Sequence, residues 1–276
     1  MLRRPTRTSR LCRALLGAAL LMGGSASLKA QTAPKVTDAG TAPPASVIYI
    51  GNSFFYFHNG INGHVAQLNT ALTPGQALRS TMVTISGSGF DWHDVESYFR
   101  PNAIGRYSFN ADNSVSFNRI DRLFDVAVMM DCSQCPVHPD LKGIFVEYAK
   151  RHADTVRRHG ARPVFFMSWA YQDKPEMTQQ LAEAYTRAGN DNDAMVIPAG
   201  LAFARVVKDH PEINLYMPDK RHPSLAGSYL SAATTYAALF NKSPVGAAYT
   251  AGLEPSVARV LQEAAWETVR EYLRRS

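Results

Sequence analysis

Ser53 is the residue of this sequence that is best placed to act as a nucleophile. It follows residues 47–51, a run of β-branched and aromatic side chains that ends in glycine and is typical of a fully buried strand. Gly51 and Asn52 tolerate the positive φ angles of a sharp turn, and a helical pattern over about residues 58–72 comes next. This order would lift Ser53 onto the carboxyl edge of a parallel sheet, where α/β proteins bind ligands. The alternative is that its hydroxyl only caps a helix.

A matching acid–base pair lies near the other end of the sequence. Asp219 and His222 are three residues apart in a polar loop, directly before Pro223, which favours entry into a helix. A carboxylate at this spacing accepts the Nδ1 proton of the imidazole and leaves Nε2 as a general base. The alternative is a capping loop in which both side chains are solvated, because the D-x-x-H spacing often occurs by chance.

Cys132 and Cys135 form a C-x-x-C pair after the third predicted strand. In an oxidising compartment this pair would form a disulfide bond, and two unpaired thiols or a redox-active pair are the alternatives. A zinc site would need two more ligands, and only His138 is near in the sequence. We therefore expect a disulfide bond and no metal site.

The first residues of the chain indicate export. Residues 1–30 combine arginines, a short apolar run and small residues, as a secretory signal peptide does. An uncleaved membrane anchor is the weaker alternative, because the apolar run is too short for a membrane span. Residues 1–30 hold six Lys or Arg and no acidic residue, so the rest of the 276-residue chain has 23 basic and 23 acidic residues. The basic balance of the full chain therefore does not indicate nucleic-acid binding. Residues 31–46, rich in Ala, Pro and Thr, predict a flexible leader before one domain at 47–276.

Five predicted strands alternate with helices along this domain. The strands cover residues 47–51, 79–86, 124–130, 163–167 and 194–197. The alternation predicts an α/β fold of three layers, a five-stranded parallel sheet of flavodoxin-like type with helices on both faces. Each strand ends in a polar or glycine-rich turn, so these turns gather at one edge of the sheet. Residues 105–120 predict a β-hairpin or a long loop, inserted on the ligand side of the sheet.

With these elements in order, the sequence resembles the SGNH (GDSL-type) hydrolases, and among them a bacterial subgroup with G-N-S in its first conserved block. The likeness spans about residues 47–240 and includes the G-N-S turn, a glycine turn after the second strand and D-x-x-H-P-S before the penultimate helix. It implies that Ser53, Asp219 and His222 form a catalytic triad. It also implies an oxyanion hole that uses the N–H groups of Ser53 and Gly87, and no metal or organic cofactor.

The turn after the third strand departs from that family. The family usually has G-x-N-D there, with an Asn side chain that completes the oxyanion hole, whereas residues 130–134 read Met-Asp-Cys-Ser-Gln. Gln134 has the reach and the N–H₂ group to replace that Asn, and Ser133 is the next candidate. The first block departs too, because the family usually has Asp where Asn52 stands.

Three residues are candidate substrate contacts: Asn52 beside the nucleophile, and Trp92 and His93 after the Gly87 turn. The predicted function is that of a bacterial serine esterase, periplasmic or secreted, acting on a small-molecule or carbohydrate ester such as an acetyl or short acyl group. A non-catalytic carbohydrate- or ligand-binding relative with an incomplete oxyanion hole is the alternative. A C-x-x-C redox protein is disfavoured, because this pair opens no thioredoxin-like βαβ unit.

Overall fold

The computed structural model describes residues 32–40, 42–100, 107–117 and 122–275. The predicted signal peptide at residues 1–30 lies outside these ranges. Among the residues they contain, no helix is both long enough and apolar enough to cross a lipid bilayer.

Five parallel strands form the central sheet, as predicted. Their bounds are β1 Ser46–Gly51, β2 Arg79–Thr84, β5 Val126–Met129, β6 Arg162–Phe166 and β7 Met195–Ile197. Two short strands, β3 Tyr107–Phe109 and β4 Val115–Phe117, form a separate antiparallel hairpin. The order in the sheet is β2-β1-β5-β6-β7, so the direction in which successive strands are added reverses between β1 and β5. This is the flavodoxin-like order, and it confirms the predicted fold class.

The central strands lie in the core and end at a common level. All residues of β1 and β5 are buried, as expected for the middle of a parallel sheet that helices cover on both faces. Ile50 of β1 pairs with Val83 of β2 on one side and with Met129 of β5 on the other. The turns that follow these three strands consequently share one edge of the sheet, here called the carboxyl edge.

Helices surround the sheet on both sides. Their bounds are α1 Ser53–Tyr56, α2 Ile61–Leu72, α3 Val95–Tyr98, α4 Lys142–Arg158, α5 Met177–Asp191, α6 Ala199–Asp209, α7 Leu225–Phe240 and α8 Pro255–Leu273. Helices α2, α7 and α8 pack together on one face, and α4 and α5 pack on the other. This is the placement that right-handed crossover connections produce.

The helix predicted for residues 58–72 begins late, at Ile61. Residues 58–60 have φ angles of 49°, 67° and 76°, and left-handed backbone cannot continue a right-handed helix. Ser53 lies instead at the first position of the separate one-turn helix α1. Residues 90–98 form two short pieces, a 3₁₀ turn at Phe90–Trp92 and the one-turn helix α3.

The β3–β4 hairpin does not leave the domain on the ligand side, where we expected it. The nearest described residues on its two sides include Phe99 and Phe124, whose rings pack with centroids 5.5 Å apart. Phe124 comes just before β5 begins, and Phe99 also stacks on His159, which follows the end of α4. These contacts place the flanks of the insertion at the amino edge of the sheet, opposite Ser53.

The expected flexible leader is in contact with the domain at residues 32–40. The N–H of Lys35 donates to Asn190 Oδ1 at 2.7 Å, and Nε of Arg275 donates to the carbonyl of Thr37 at 2.9 Å. Composition favours disorder in this stretch, but hydrogen bonds from distant segments satisfy some of its backbone groups, and composition does not reveal such contacts.

Candidate active site

Ser53 and His222 are in hydrogen-bonding contact. The nucleophile turn, residues 51–53, leaves β1 at the carboxyl edge and brings Ser53 to the start of α1. Ser53 Oγ lies 2.8 Å from His222 Nε2, and Ser53 is only 7% exposed. The structure thus brings together two residues that are 169 positions apart in the sequence.

Asp219 extends this contact into a chain of three residues. Its Oδ2 atom contacts His222 Nδ1, and its Oδ1 atom accepts from the N–H groups of Arg221 at 2.9 Å and His222 at 3.0 Å. Burial opposes ionisation of this carboxyl, but the hydrogen bonds outweigh it and lower the pKa of Asp219 to about 2. Because an ionised carboxylate only accepts, Nδ1 of His222 carries a proton and Nε2 accepts from Ser53. We call residues 219–223 the histidine loop.

Aromatic rings hold the imidazole of His222. The Phe57 ring stacks on it with centroids 4.3 Å apart and planes 15° apart, and Phe54 meets it nearly at right angles, at 5.5 Å. Trp169 stacks on Phe54 at 4.4 Å, and its Nε1 donates to the carbonyl of Arg221 at 3.0 Å. Trp169 is fully buried and belongs to the core. Sequence reasoning missed Phe54 and Phe57, whose one signal is the aromatic run that follows the nucleophile turn.

Two backbone N–H groups at the carboxyl edge are free to donate to an oxyanion. Within the described ranges, the N–H groups of Ser53 and Gly87 make no hydrogen bond. Gly87 has a φ of 73°, and an added Cβ would have nothing within 4 Å, so the backbone conformation and not space requires glycine. The turn around Gly87 is attached to β1, because the N–H of Ile85 donates to the carbonyl of Gly51 at 3.1 Å.

A buried carboxyl group and a disulfide bond organise the turn after β5. Asp131 is 2% exposed, and its Oδ1 accepts from the N–H groups of Phe90 at 2.6 Å and Cys132 at 2.8 Å. Burial raises the pKa of Asp131 to about 6. Cys132 and Cys135 are joined by a disulfide bond, with their Cα atoms 5.2 Å apart. The expected pairing therefore closes this turn, which Asn52, the neighbour of Ser53, contacts through the carbonyl of Asp131.

Gln134 does not occupy the position expected of an oxyanion donor. Its side chain is exposed and makes no hydrogen bond with any described residue. The half-buried Ser133 is the residue of this turn that reaches a partner, since its Oγ lies 2.8 Å from Tyr171 Oη. The guanidinium of Arg221 lies over the Tyr171 ring at 4.4 Å and so connects this cluster to the histidine loop. Sequence reasoning missed Tyr171, because nothing local marks a loop tyrosine as a neighbour of this turn.

The three candidate substrate contacts have different environments. Asn52 is 3% exposed, and both ends of its side chain amide bond to backbone groups. His93 is 4% exposed, with Nε2 3.1 Å from the carbonyl of Gly51 and 3.0 Å from Ser88 Oγ, and burial lowers its pKa to about 4. Contrary to expectation, both residues support the turns from inside and offer no free polar atom to a substrate. Trp92 is 59% exposed and open to a ligand.

Two cavities lie near the histidine loop. The larger, of about 630 Å³, is lined by Leu225, three residues after His222, and by hydrogen-bonding side chains: His58, Asn59, His64, Tyr249 and Thr250. The smaller, of about 330 Å³, has a more apolar lining that includes Tyr171, Phe203, Val207 and Tyr216. In the part of the chain that the structure describes, no group of three or more His, Cys, Asp or Glu side chains is arranged to hold a metal ion.

Solved structures share this architecture at low sequence identity. A DUF4886 family protein from Bacteroides uniformis has a TM-score of 0.56 at 18% identity, over 81% of this chain and 94% of that one. A candidate SGNH hydrolase from Slackia heliotrinireducens has a TM-score of 0.51 at 19% identity, over 70% of this chain and 97% of that one. The acetylxylan esterase Axe2 from Geobacillus stearothermophilus has a TM-score of 0.51 at 16% identity, over 73% and 96% of the two chains. No protein-family model and no curated protein matches the chain.

These likenesses define the fold, which is that of the SGNH hydrolases. Structures of three catalytic mutants of Axe2 carry alanine in place of a serine, an aspartate or a histidine, and the last two lie three positions apart in that enzyme. A likeness at this identity describes architecture, so activity has to be argued from the site itself.

Proposed function

We propose that this chain is a serine esterase in which Ser53 is the nucleophile, His222 the general base and Asp219 the residue that orients the base. The hydrogen-bonded chain from Ser53 Oγ through the His222 ring to Asp219 carries this proposal. It lies at the carboxyl edge beside β1 and β5, where an open α/β sheet with this strand order binds its ligands. The same three residue types are altered in the catalytic mutants of Axe2.

The reaction proceeds through an acyl-enzyme. Nε2 of His222 removes the hydroxyl proton while Oγ of Ser53 bonds to the carbonyl carbon, and Asp219 stabilises the imidazolium that forms. The N–H groups of Ser53 and Gly87 stabilise the negative charge that develops on the carbonyl oxygen. The imidazolium then gives its proton to the departing alcohol. A water molecule, deprotonated by His222, attacks the acyl group, and the proton returns to Ser53 Oγ as the carboxylic acid leaves.

The substrate proposed is a small-molecule or carbohydrate ester that carries an acetyl or short acyl group. In the larger cavity both imidazole side chains are engaged within the protein, since His64 bonds to Tyr249 Oη and His58 to the carbonyl of Pro223. The side chains of Asn59 and Thr250 make no hydrogen bond with a described residue, and their amide and hydroxyl groups suit a polyhydroxylated ligand. Axe2, which shares the fold, is an acetylxylan esterase.

Export of the chain, with removal of residues 1–30, is part of the same proposal. The signal-peptide pattern supports it, and so does the Cys132–Cys135 bond, since disulfides persist in oxidising compartments such as the bacterial periplasm. Protein recovered from the periplasm and alkylated without reductant should show neither cysteine modified by mass spectrometry. Two alkylated thiols would contradict this.

Labelling with a fluorophosphonate tests the proposed function, because this probe reacts with an activated serine whatever the natural substrate. Ser53→Ala should abolish labelling and lower the rate of aryl acetate hydrolysis by about 10⁴-fold or more. Ser86→Ala, in the nearby turn after β2, should retain both. A wild-type chain that binds oligosaccharides but is not labelled would instead support a non-catalytic binding protein, an alternative favoured by the exposed position of Gln134.

A further inference from the structure

Asn52 connects the turns that follow three neighbouring strands. Its Nδ2 donates to the carbonyl of Ser88 at 3.0 Å and to the carbonyl of Asp131 at 3.2 Å. Its Oδ1 accepts from the N–H of Phe54 at 3.2 Å. Asn52 follows β1, Ser88 lies in the turn after β2 and Asp131 follows β5. One side chain therefore joins the nucleophile turn to the turns on both sides of it.

Only an amide can make this set of contacts. The two hydrogens of Nδ2 each go to a carbonyl oxygen, and the carboxylate of an aspartate has no hydrogen to give. An ionised aspartate here would lie against two carbonyl oxygens at a position that is 3% exposed. Burying a charge without a donor costs several kcal/mol or forces it to take up a proton. The residue that the family usually has at this position is thus unsuited to this chain.

The Ser88 contact bears on the geometry of the oxyanion hole. Gly87 immediately precedes Ser88, and its free N–H is one of the two donors that the mechanism uses. The other donor is the N–H of Ser53, immediately after Asn52. A shift of the Ser88 carbonyl would turn the peptide chain that carries the Gly87 N–H, and the distance between the two donors would change with it.

We propose that Asn52 is a positioning residue that holds the N–H groups of Ser53 and Gly87 at the spacing of an oxyanion, so that G-N-S and not G-D-S is required in this chain. This inference rests on the proposed esterase function. With an exposed Gln134 contributing no amide, the two backbone donors stabilise the oxyanion without a third from that side chain. Their spacing then matters more for the rate than for the binding of substrate.

Two substitutions and a matched control test the inference. Asn52→Asp removes both donated hydrogen bonds and adds a charge, whereas Asn52→Ser removes them and keeps an oxygen for the N–H of Phe54. Asn69→Asp is the control, because Asn69 is also buried, at 1% exposure, and donates to a carbonyl, that of Gln76 at 2.7 Å, but lies on α2. For an aryl acetate, both Asn52 variants should lower kcat by about 10- to 100-fold while KM changes less than about 3-fold.

A transition-state analogue separates positioning from general loss of structure. The Kd of a boronic acid inhibitor should rise by about the same factor as kcat falls, since both depend on the oxyanion donors. Asn69→Asp should lower the melting temperature without changing kcat or this Kd. In the wild-type chain, both side-chain amide protons of Asn52 should exchange slowly by NMR, a measurement that does not depend on any variant folding.

The outcomes distinguish this inference from the esterase proposal. An active wild-type chain whose Asn52 variants lose only thermal stability, as Asn69→Asp does, would overturn the positioning role and leave the esterase intact. Rapid exchange of the wild-type Asn52 amide protons would overturn it as well. A wild-type chain that neither reacts with a fluorophosphonate nor hydrolyses an aryl acetate would overturn the esterase function and the positioning role together.

Discussion

The nucleophile turn is almost fully buried, whereas the histidine loop is open to solvent. Ser53 is 7% exposed and follows a strand in which every residue is buried. The side chains of His222 and Asp219 are 28% and 47% exposed. Strand register and backbone hydrogen bonds fix the first region. Ring stacking and hydrogen bonds to one carboxylate fix the second.

This difference means that substitutions near Ser53, the proposed nucleophile, and near His222, the proposed base, should have different effects. A change beside the nucleophile turn alters buried groups, so it should change the free energy of unfolding. Catalytic activity can change with it or stay the same. A change in the histidine loop alters half-exposed contacts that contribute little to the free energy of unfolding. It should therefore reduce activity and leave stability nearly unchanged. Four substitutions test this contrast.

Asp219→Asn should have the largest effect, and on activity alone. Asparagine offers an N–H₂ group to Nδ1, so His222 would hold its proton on Nε2 and could not accept from Ser53. We expect kcat to fall by about 10³- to 10⁴-fold with a small change in melting temperature. Asp209→Asn is the control, because the side chain of Asp209 is 43% exposed and lies on α6. A loss of activity below 10-fold would show that Asp219 does not set the tautomer.

Asp131→Asn should act on stability and not on activity, and it should stabilise the protein. Burial raises the pKa of Asp131 from 3.8 to about 6, so the folded chain holds a proton that the unfolded chain has lost between those pH values. Stability therefore falls as pH rises through this window, and the loss persists above it. Asparagine carries no charge and can still accept through Oδ1, so the free energy of unfolding at pH 8 should rise by up to about 3 kcal/mol.

Urea unfolding of the Asp131→Asn variant at pH 8 and near pH 4 measures this effect, and the gain should vanish at the lower pH. Asp125→Asn is the matched control of opposite sign. Burial opposes ionisation of Asp125, but the N–H groups of Ala45 and Ser46 and the nearby Arg122 outweigh it and lower its pKa. Its loss should therefore destabilise the protein at pH 8. Equal changes in stability at both pH values for Asp131→Asn would contradict the titration.

Phe57→Leu tests whether ring stacking holds the base. The ring stacks on His222 at 4.3 Å, and a leucine fills part of the space without the planar contact. Aromatic pairs contribute about 0.5–1.5 kcal/mol, so kcat/KM should fall about 2- to 10-fold. Phe109→Leu on the hairpin, where the side chain is 73% exposed, should change nothing. Unchanged kinetics in Phe57→Leu would leave hydrogen bonds alone to orient the imidazole.

Gln134→Ala should have the smallest effect. Its side chain is exposed, so we expect kcat/KM to stay within about 2-fold of the wild-type value. Steady-state kinetics on an aryl acetate measures it, with Ser133→Ala as the comparison because Ser133 Oγ contacts Tyr171. If kcat/KM of Gln134→Ala fell by about 10²-fold, the Gln134 side chain would have to be a donor of the oxyanion hole after all.

The parts of the molecule that were predictable from sequence are those set by local pattern. Short runs rich in β-branched and apolar residues, each followed by a polar or glycine-rich turn, identified every strand of the sheet to within a few residues. The half-exposed β2, Arg79–Thr84, has no continuous apolar run and was predicted from its β-branched residues and the glycine turn that follows. The position of Ser53 followed from its place after a buried strand. The contact with His222 followed from the resemblance to the SGNH hydrolases, because the histidine loop lies between two helices and no strand places it.

The parts that sequence did not reveal depend on contacts between distant segments. Gln134 has the right chemistry, but its direction is set by a turn built on a disulfide bond and the buried Asp131. Asn59 and Gly60 signal a turn after Phe57, but no local pattern shows that the Phe57 ring will stack on His222, which lies far away in the sequence. The amide of Asn52 could be assigned only after its two carbonyl partners were placed.

The contact between Arg275 and Thr37 holds the first described segment of the chain next to its last described residue. The guanidinium of Arg275 also donates to the carbonyl of Ala238 at 3.0 Å, so one side chain ties the first described segment, the end of α7 and the end of the domain to each other. A peptide linker between these neighbouring ends would close the polypeptide without crossing the carboxyl edge. New ends could then be opened at the exposed turn around Asp112, on the side of the sheet from which the hairpin arises. Arg275 also lies against Met195, the first residue of β7, so this junction and the flanks of the hairpin are both at the amino edge of the sheet, opposite Ser53.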